Sequence, residues 1–283
     1  MINEYIINFI IFILIYIIVV ISFNLTFGFT GLVNLGHMVF FGIGAYTSAL
    51  LTLNGTPWYF AVICAGIVAS FIGTLIAAIT VRLKGDYFQI VTLGLVFIAI
   101  TISRNWISLT RGALGLPGIP PIVSNHFNYM LLVFGISVLC TAFFYWLVNS
   151  ETGKIFQAIR DDETAASILG KNTYFYKISS IAISTFFAGI AGSLFAHFIQ
   201  FVDPTIFDLG FFVLILSMLV AGGLASITGS IAGVVIISAF TEVVRYIFVN
   251  PEIVGAVREM AFMAIIILIL IFRPRGMFGK VDI

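Results

Sequence analysis

The residues able to take part in acid–base, nucleophilic or metal chemistry are few in this chain and far apart. His37, His126 and His197 are its only histidines, and they lie far from one another without metal-ligand spacing. Cys64 and Cys140 sit inside apolar runs, where a thiol acts as a small hydrophobe, so they signal neither a metal site nor a redox compartment. There is no G-x-x-x-x-G-K-[ST] phosphate loop and no nucleophile accompanied by a base. The expectation is a protein that is not an enzyme and that itself binds no cofactor, metal or nucleic acid.

The polar residues that remain are set among apolar ones. Glu242 and Arg245 stand three apart, on one helical face of an apolar run. A charge in hydrocarbon costs about 2.5–3.5 kcal/mol or more, so the two are expected to pair or to face water; a structural salt bridge and a transport role fit equally. Gly31, Gly36, Gly42 and Gly44, with Asn34 and His37 between them, form one glycine-rich block, and Gly222, Gly223, Gly229 and Gly233 form another. Such glycines serve either close helix packing or a broken helix beside a pathway. Asn34, His37, Gly42, Gly222, Gly223, Glu242 and Arg245 are therefore candidate pathway-lining residues, the two blocks facing each other. The alternative is that the glycines only pack and that His37 bonds to a neighbouring span. His197 reads as a local hydrogen-bonding residue.

The one concentrated patch of charge runs from Glu151 to Lys177, with eight charges. Taken as a single helix, it places Ile155, Ala158, Ile159, Ala165, Ala166 and Leu169 on one arc that Asp162 interrupts. A simpler arrangement continues the preceding span to about Arg160 and starts a short helix after Asp161 or Asp162 as N-cap. Glu163 then lies in its first turn, Gly170 ends it and Lys171 follows, each favourable with the helix dipole. A small-residue helix of this kind either enters a groove on another protein or merely connects two spans.

The elements that hold these residues are membrane helices. Hydrophobic residues make up 61% of the 283 and charged ones 9%, against about 25% charged in soluble domains. Runs such as IIFILIYIIVVI (10–21) and IIILILIF (265–272) are apolar on every side, which excludes the alternation of a transmembrane β-barrel. The fold class is all-α and polytopic, a single membrane domain over residues 1–283 with about nine spans (eight to ten). The expected spans are Tyr5 to Phe23, Leu32 to Leu53, Trp58 to Val81, Phe88 to Ser103, Tyr129 to Asn149, Ile178 to Gln200, Leu209 to Ala225, Ile231 to Phe248 and Ala256 to Phe272, each about the length that crosses roughly 30 Å of hydrocarbon. The second and seventh are rich enough in glycine to be broken or re-entrant. The first lacks a basic leader and a small-residue cleavage site, so it reads as a retained span. No extramembrane piece much exceeds about twenty-five residues, too few for a soluble core.

Placing the charged stretch in the cytoplasm puts Arg82, Lys84, Lys154, Arg160, Lys171, Lys177, Arg273, Arg275 and Lys280 on that side. It leaves Arg104, Arg111, Arg245 and Arg258 outside, so nine basic residues oppose four. By the positive-inside rule the N-terminus is outside and the C-terminus inside. Net charge of +1 gives no polybasic surface for nucleic acid.

GKIFQAIRDDETAASILGKN (153–172) resembles the cytoplasmic loop of the permease subunits of branched-chain amino acid ABC importers, of the LivM type, which reads G-R-A-x-x-A-I-R-E-N-E-x-A-A-x-x-x-G-I-N. GLVNLGHMVFFGIGAYTSALL (31–51), RLKGDYFQIVTL (82–93), LTRGALGLPGIP (109–120), GGLASITGSIAG (222–233) and FRPRGMFG (272–279) resemble further family blocks in the same order. Arg111 and Lys171 depart from the usual glycine and isoleucine. The resemblance implies a bacterial inner-membrane permease forming half of a pathway for leucine, isoleucine and valine, with relatives that carry urea, short amides or other amino acids. It implies a related permease, two cytoplasmic ATPases that use ATP, and an external solute-binding protein as partners, besides membrane lipid. It makes the loop 150–177 the carrier of a coupling helix at about 162–170, with Arg160, Asp161, Asp162, Glu163, Ala165, Ala166 and Gly170 its contact residues. An ion-coupled secondary transporter is the physical rival, and Glu242 is the one carboxylate within a span that would serve it.

Overall fold

Hydrocarbon offers backbone amides no water, so a chain this apolar must satisfy them within helices. The computed structural model describes residues 2–83, 85–247, 251–272 and 276–279. Its helices are α1 (Ile2–Asn24), α2 (His37–Leu53), α3 (Trp58–Thr80), α4 (Asp86–Asn105), α5 (Ile107–Thr110), α6 (His126–Asn149), α7 (Glu151–Asp161), α8 (Glu163–Ile168), α9 (Thr173–Ile199), α10 (Leu209–Gly222), α11 (Ile227–Ile247) and α12 (Pro251–Phe272). Strands β1 (Leu116–Pro117) and β2 (Phe201–Val202) pair antiparallel, Leu116 opposite Val202.

Among the described residues, six helical stretches are long and apolar enough to cross a membrane: α1 with the turn after it, α3, α4, α6, α9 and α11. α2, α10 and the stretch Met260–Ile269 within α12 are apolar but shorter. Each occupies one of the apolar blocks read from the sequence. Several ends move: α9 starts at Thr173 because Asn172 caps it, accepting from the Phe175 amide at 3.1 Å, and α11 starts at Ile227 instead of Ile231.

Helix α1 runs through the core, with Ile11, Ile15, Ile18 and Val19 fully buried against α6, α9, α10 and α11. A second packing unit joins α2, α3 and α9 backbone to backbone: Gly189 of α9 faces Gly44 of α2 on one side and Gly66 of α3 on the other, and Gly192 faces the Phe41 carbonyl. Phe60, Phe71 and Ile79 on α3, Ile90 on α4, and Leu139 and Trp146 on α6 are exposed, an apolar surface suited to lipid.

Two stretches interrupt the helices at opposite ends of the bundle. At the end carrying α7 and α8, α1 passes into a π-helical turn, Leu25–Phe29, then irregular chain to Gly36. This backbone stays inside the protein and is satisfied there: Leu32 N–H donates to Thr26 O (2.8 Å), Leu35 N–H to Thr92 Oγ1 (3.2 Å) and Gly36 N–H to Asn34 Oδ1 (3.1 Å). The second apolar block is therefore broken, and its helix begins at His37, not Leu32. At the other end, β2 leads into a 3₁₀ turn, Pro204–Phe207, and Asp208 caps α10 by accepting from the Leu209 amide at 2.7 Å. α10 stops at Gly222, before the expected Ala225, because Gly223 turns the chain at φ +107°.

Candidate functional site

The charged stretch folds as two helices with a sharp corner. Ser150 takes the N-cap of α7, accepting from the Gly153 amide, so α6 ends at Asn149 instead of running on to Arg160. A serine cap competes directly with helix continuation, which is why the expected extension fails. The buried face of α7 is Gly153, Phe156 and Ile159, with the Phe156 ring edge-on to Tyr176; Ala158 points outward, so the single-arc reading does not hold. Of the two cap candidates, Asp162 caps α8, its Oδ1 accepting from the amides of Thr164 (2.8 Å) and Ala165 (3.0 Å), and Gly170 follows at φ +78°.

Each named side chain of the corner has a distinct job. Arg160 turns toward the bundle, donating from Nη1 to the Gly28 carbonyl in the π turn (2.9 Å) while its Nε and Nη2 hold Asp161. A Cβ on Gly31 would press on the Arg160 side chain, so α7 is seated on the break between α1 and α2. Glu163 pairs with Lys177 of α9 at 2.5 Å, latching α8 to the next helix. Ala166 is buried and Ala165 exposed, and Ile168 and Leu169, 80% and 78% exposed, form an apolar tip.

The break in α1 is tied to the far turn by Asn24. Its Nδ2 donates to Ser226 O (3.1 Å) and Ser230 Oγ (2.7 Å), and its Oδ1 accepts from the Ala225 amide (3.1 Å). Ala225 sits at φ +57°, a strained conformation for a residue with a Cβ, which these bonds help to hold. The C-terminal segment docks on the same corner, Met277 and Phe278 donating from their amides to the carbonyls of Ala221 and Gly222. Asn24→Ala leaves the buried Ala225 amide unpaired, while the Ser226 carbonyl keeps its bonds from Ser230, and is expected to cost about 1–3 kcal/mol, read as a lowered thermal midpoint of the purified protein.

A family model described as branched-chain amino acid transport system / permease component matches residues 5–272. The chain belongs to this family. It is 28% identical to LivM, a high-affinity branched-chain amino acid transport system permease protein of Salmonella typhimurium, over 91% of this chain and 66% of that one, so it spans just under two thirds of that relative's length. A probable LivM of Methanocaldococcus jannaschii is 26% identical over 91% of this chain and 88% of its own. In solved structures, PsaBC from Streptococcus pneumoniae in complex with Fab shares the fold, with a TM-score of 0.50 at 15% identity, covering 96% of this chain and 92% of that one.

Of the residues proposed from sequence as pathway-lining, all but Arg245 have described surroundings. Asn34 is buried and bonds to its own loop. His37, fully buried, places Nε2 3.1 Å from Ser22 Oγ of α1 and stacks on Phe23. Gly42 is a notch for the Phe207 ring, and Gly222 faces Gly229 where α10 and α11 cross. Packing thus accounts for Gly42 and Gly222 and the turn for Gly223. Glu242 accepts from the Tyr5 hydroxyl across to α1. The side chains of Arg245 and Arg258 lie outside the described residues, as do Lys84, Arg273, Arg275 and Lys280.

The end opposite α8 holds a polar chain of which the sequence revealed only His197. Ser193 O–H donates to Ser48 Oγ (2.7 Å), Ser48 lies 2.8 Å from His197 Nε2, and His197 Nδ1 lies 2.8 Å from the Pro120 carbonyl. It fastens the loop around β1 to α2 and α9. Only the burial of Ser48 and Ser193, fully enclosed in apolar helices, marks them, and burial is invisible to a reading of residue types.

Proposed function

We propose that this chain is one permease half of an ATP-driven importer of branched-chain amino acids in a bacterial inner membrane. It crosses nine times as one membrane domain, its N-terminus outside and its C-terminus with α7 and α8 in the cytoplasm. Support for the orientation comes from the basic residues gathered at the α8 end: Arg82, which lies over the Tyr174 ring, Lys154, Arg160, Lys171 and Lys177. A related permease completes the pathway, an external binding protein delivers the solute, and two ATPases bind and hydrolyse ATP below.

The observation that carries the reading is α8. It is a short, capped helix held by Asp162 and Glu163, presenting the exposed apolar tip of Ile168 and Leu169. Such a tip fits a groove on a cytoplasmic partner, with motion of that partner entering the bundle through Arg160 and Gly28. The test is reconstitution in vesicles with candidate ATPases and binding protein. L-Leucine, L-isoleucine and L-valine are expected to accumulate only with ATP; accumulation driven by an ion gradient without ATP refutes the proposal.

A further inference from the structure

At the end opposite α8 a cavity of about 420 Å³ opens between α1, α9 and α10 under the β2–α10 segment, a volume within the usual range of small-molecule sites. Its walls are rings from three helices: Phe12 and Tyr16 of α1, Phe195 of α9 and Phe211 of α10. They brace one another, with centroids 6.2 Å apart for Phe12 and Phe195, 5.9 Å for Tyr16 and Phe211, and 6.0 Å for Phe195 and Phe211. Of the described residues lining it, Asp203 alone is charged. The Asp203 carboxylate is held in place by Thr205, whose amide (3.2 Å) and hydroxyl (2.6 Å) both bond to Oδ1, and neither of these bonds uses Oδ2.

The segment carrying that carboxylate is fixed on three sides. Pairing of β2 with β1 holds its start, insertion of Phe207 into the notch at Gly42 holds its middle, and the Asp208 cap holds its end. Gly42 is thus needed for the shape of this cavity without lining it.

An aromatic, apolar chamber with one fixed carboxylate selects a ligand that has a cationic head on an apolar body. Ring faces also attract an ammonium, which reinforces the carboxylate. We propose that this cavity is a binding site for the aliphatic α-amino acid on its way from the external side, Asp203 taking the α-ammonium and the Phe12, Phe195 and Phe211 rings the side chain. This rests on the transport reading above and names a site within it.

Two variants test it. Asp203→Asn keeps an oxygen for the Thr205 bonds but loses the charge, and Phe211→Trp narrows the chamber. Saturation-transfer NMR on the full chain in nanodiscs uses L-leucine, 3-methylbutylamine and 4-methylpentanoate as probes. Wild type is expected to bind the first two and not the third, and Asp203→Asn to weaken both by about tenfold, the loss typical of one charge-assisted bond. Phe211→Trp should reduce L-leucine more than L-alanine in uptake by the assembled transporter. Equal binding of all three probes, or variants with unchanged L-leucine binding and uptake, overturns the site while leaving the transport reading intact. A wild-type transporter that moves no aliphatic amino acid overturns both.

Discussion

Gly192→Leu is expected to abolish recovery of folded protein, whereas Gly94→Leu and Gly135→Leu are recovered close to wild-type levels. All three glycines lie within helices, so intrinsic helix propensity favours every one of these changes by up to about 1 kcal/mol. What separates them is the space a Cβ would enter. At Gly192 it meets the Phe41 carbonyl oxygen, a backbone atom of α2 that cannot rotate aside; at Gly94 and Gly135 nothing stands within 4 Å. Gly189, one turn away, already touches both Gly44 of α2 and the Ala65 carbonyl of α3, so displacing α9 opens the three-helix contact along its length. Overpacking of this kind costs about 3 kcal/mol or more, a large share of a typical folding free energy of about 5–15 kcal/mol. Fluorescence-detected size exclusion of a tagged full chain reads the result. A sharp monodisperse Gly192→Leu peak at wild-type height would show that α2 and α9 can separate freely.

These glycines also show what the sequence discloses and what it hides. Helix ends set by local chemistry were legible: Asp162 as cap and Gly170 as stop follow from side-chain oxygen and left-handed backbone, properties of single residues. Ser150 was equally local, yet the apolar run before it outweighed it. Roles that depend on a distant surface were hidden. The bond from the Glu163 carboxylate to Lys177, fourteen residues on, is one such role. Asn24 falls just past the first expected span, and its amide clamps a turn two hundred residues away in sequence. Nothing beside Glu242 in the sequence announces the bond it accepts from the Tyr5 hydroxyl, on the first helix. The glycines of the block 31–44 were compatible with close packing or with a pathway, because a missing side chain looks the same in sequence whether a cavity or another backbone fills the space.

The double change Ile168→Asp with Leu169→Asp is expected to abolish ATP-dependent uptake while leaving the protein folded in the membrane. Both side chains are exposed and touch little of their own chain, so their loss should shift stability by no more than about 0.5 kcal/mol. At an interface, an apolar anchor replaced by an unpaired charge typically costs about 2 kcal/mol or more, roughly thirtyfold in affinity, and two adjacent changes more. Copurification with the ATPase should therefore fail. Glu163→Gln isolates the other half of the mechanism. It leaves the tip intact but weakens the link from α8 to Lys177, so ATPase association should survive while the amount of solute moved per ATP falls. Gly170→Val should act likewise, since φ +78° is strained for a β-branched residue. If the double change left association intact, the tip would not be the docking surface. If Glu163→Gln left the transport-to-hydrolysis ratio unchanged, force would have to enter the bundle by α7 alone, through Arg160 and the Gly28 carbonyl.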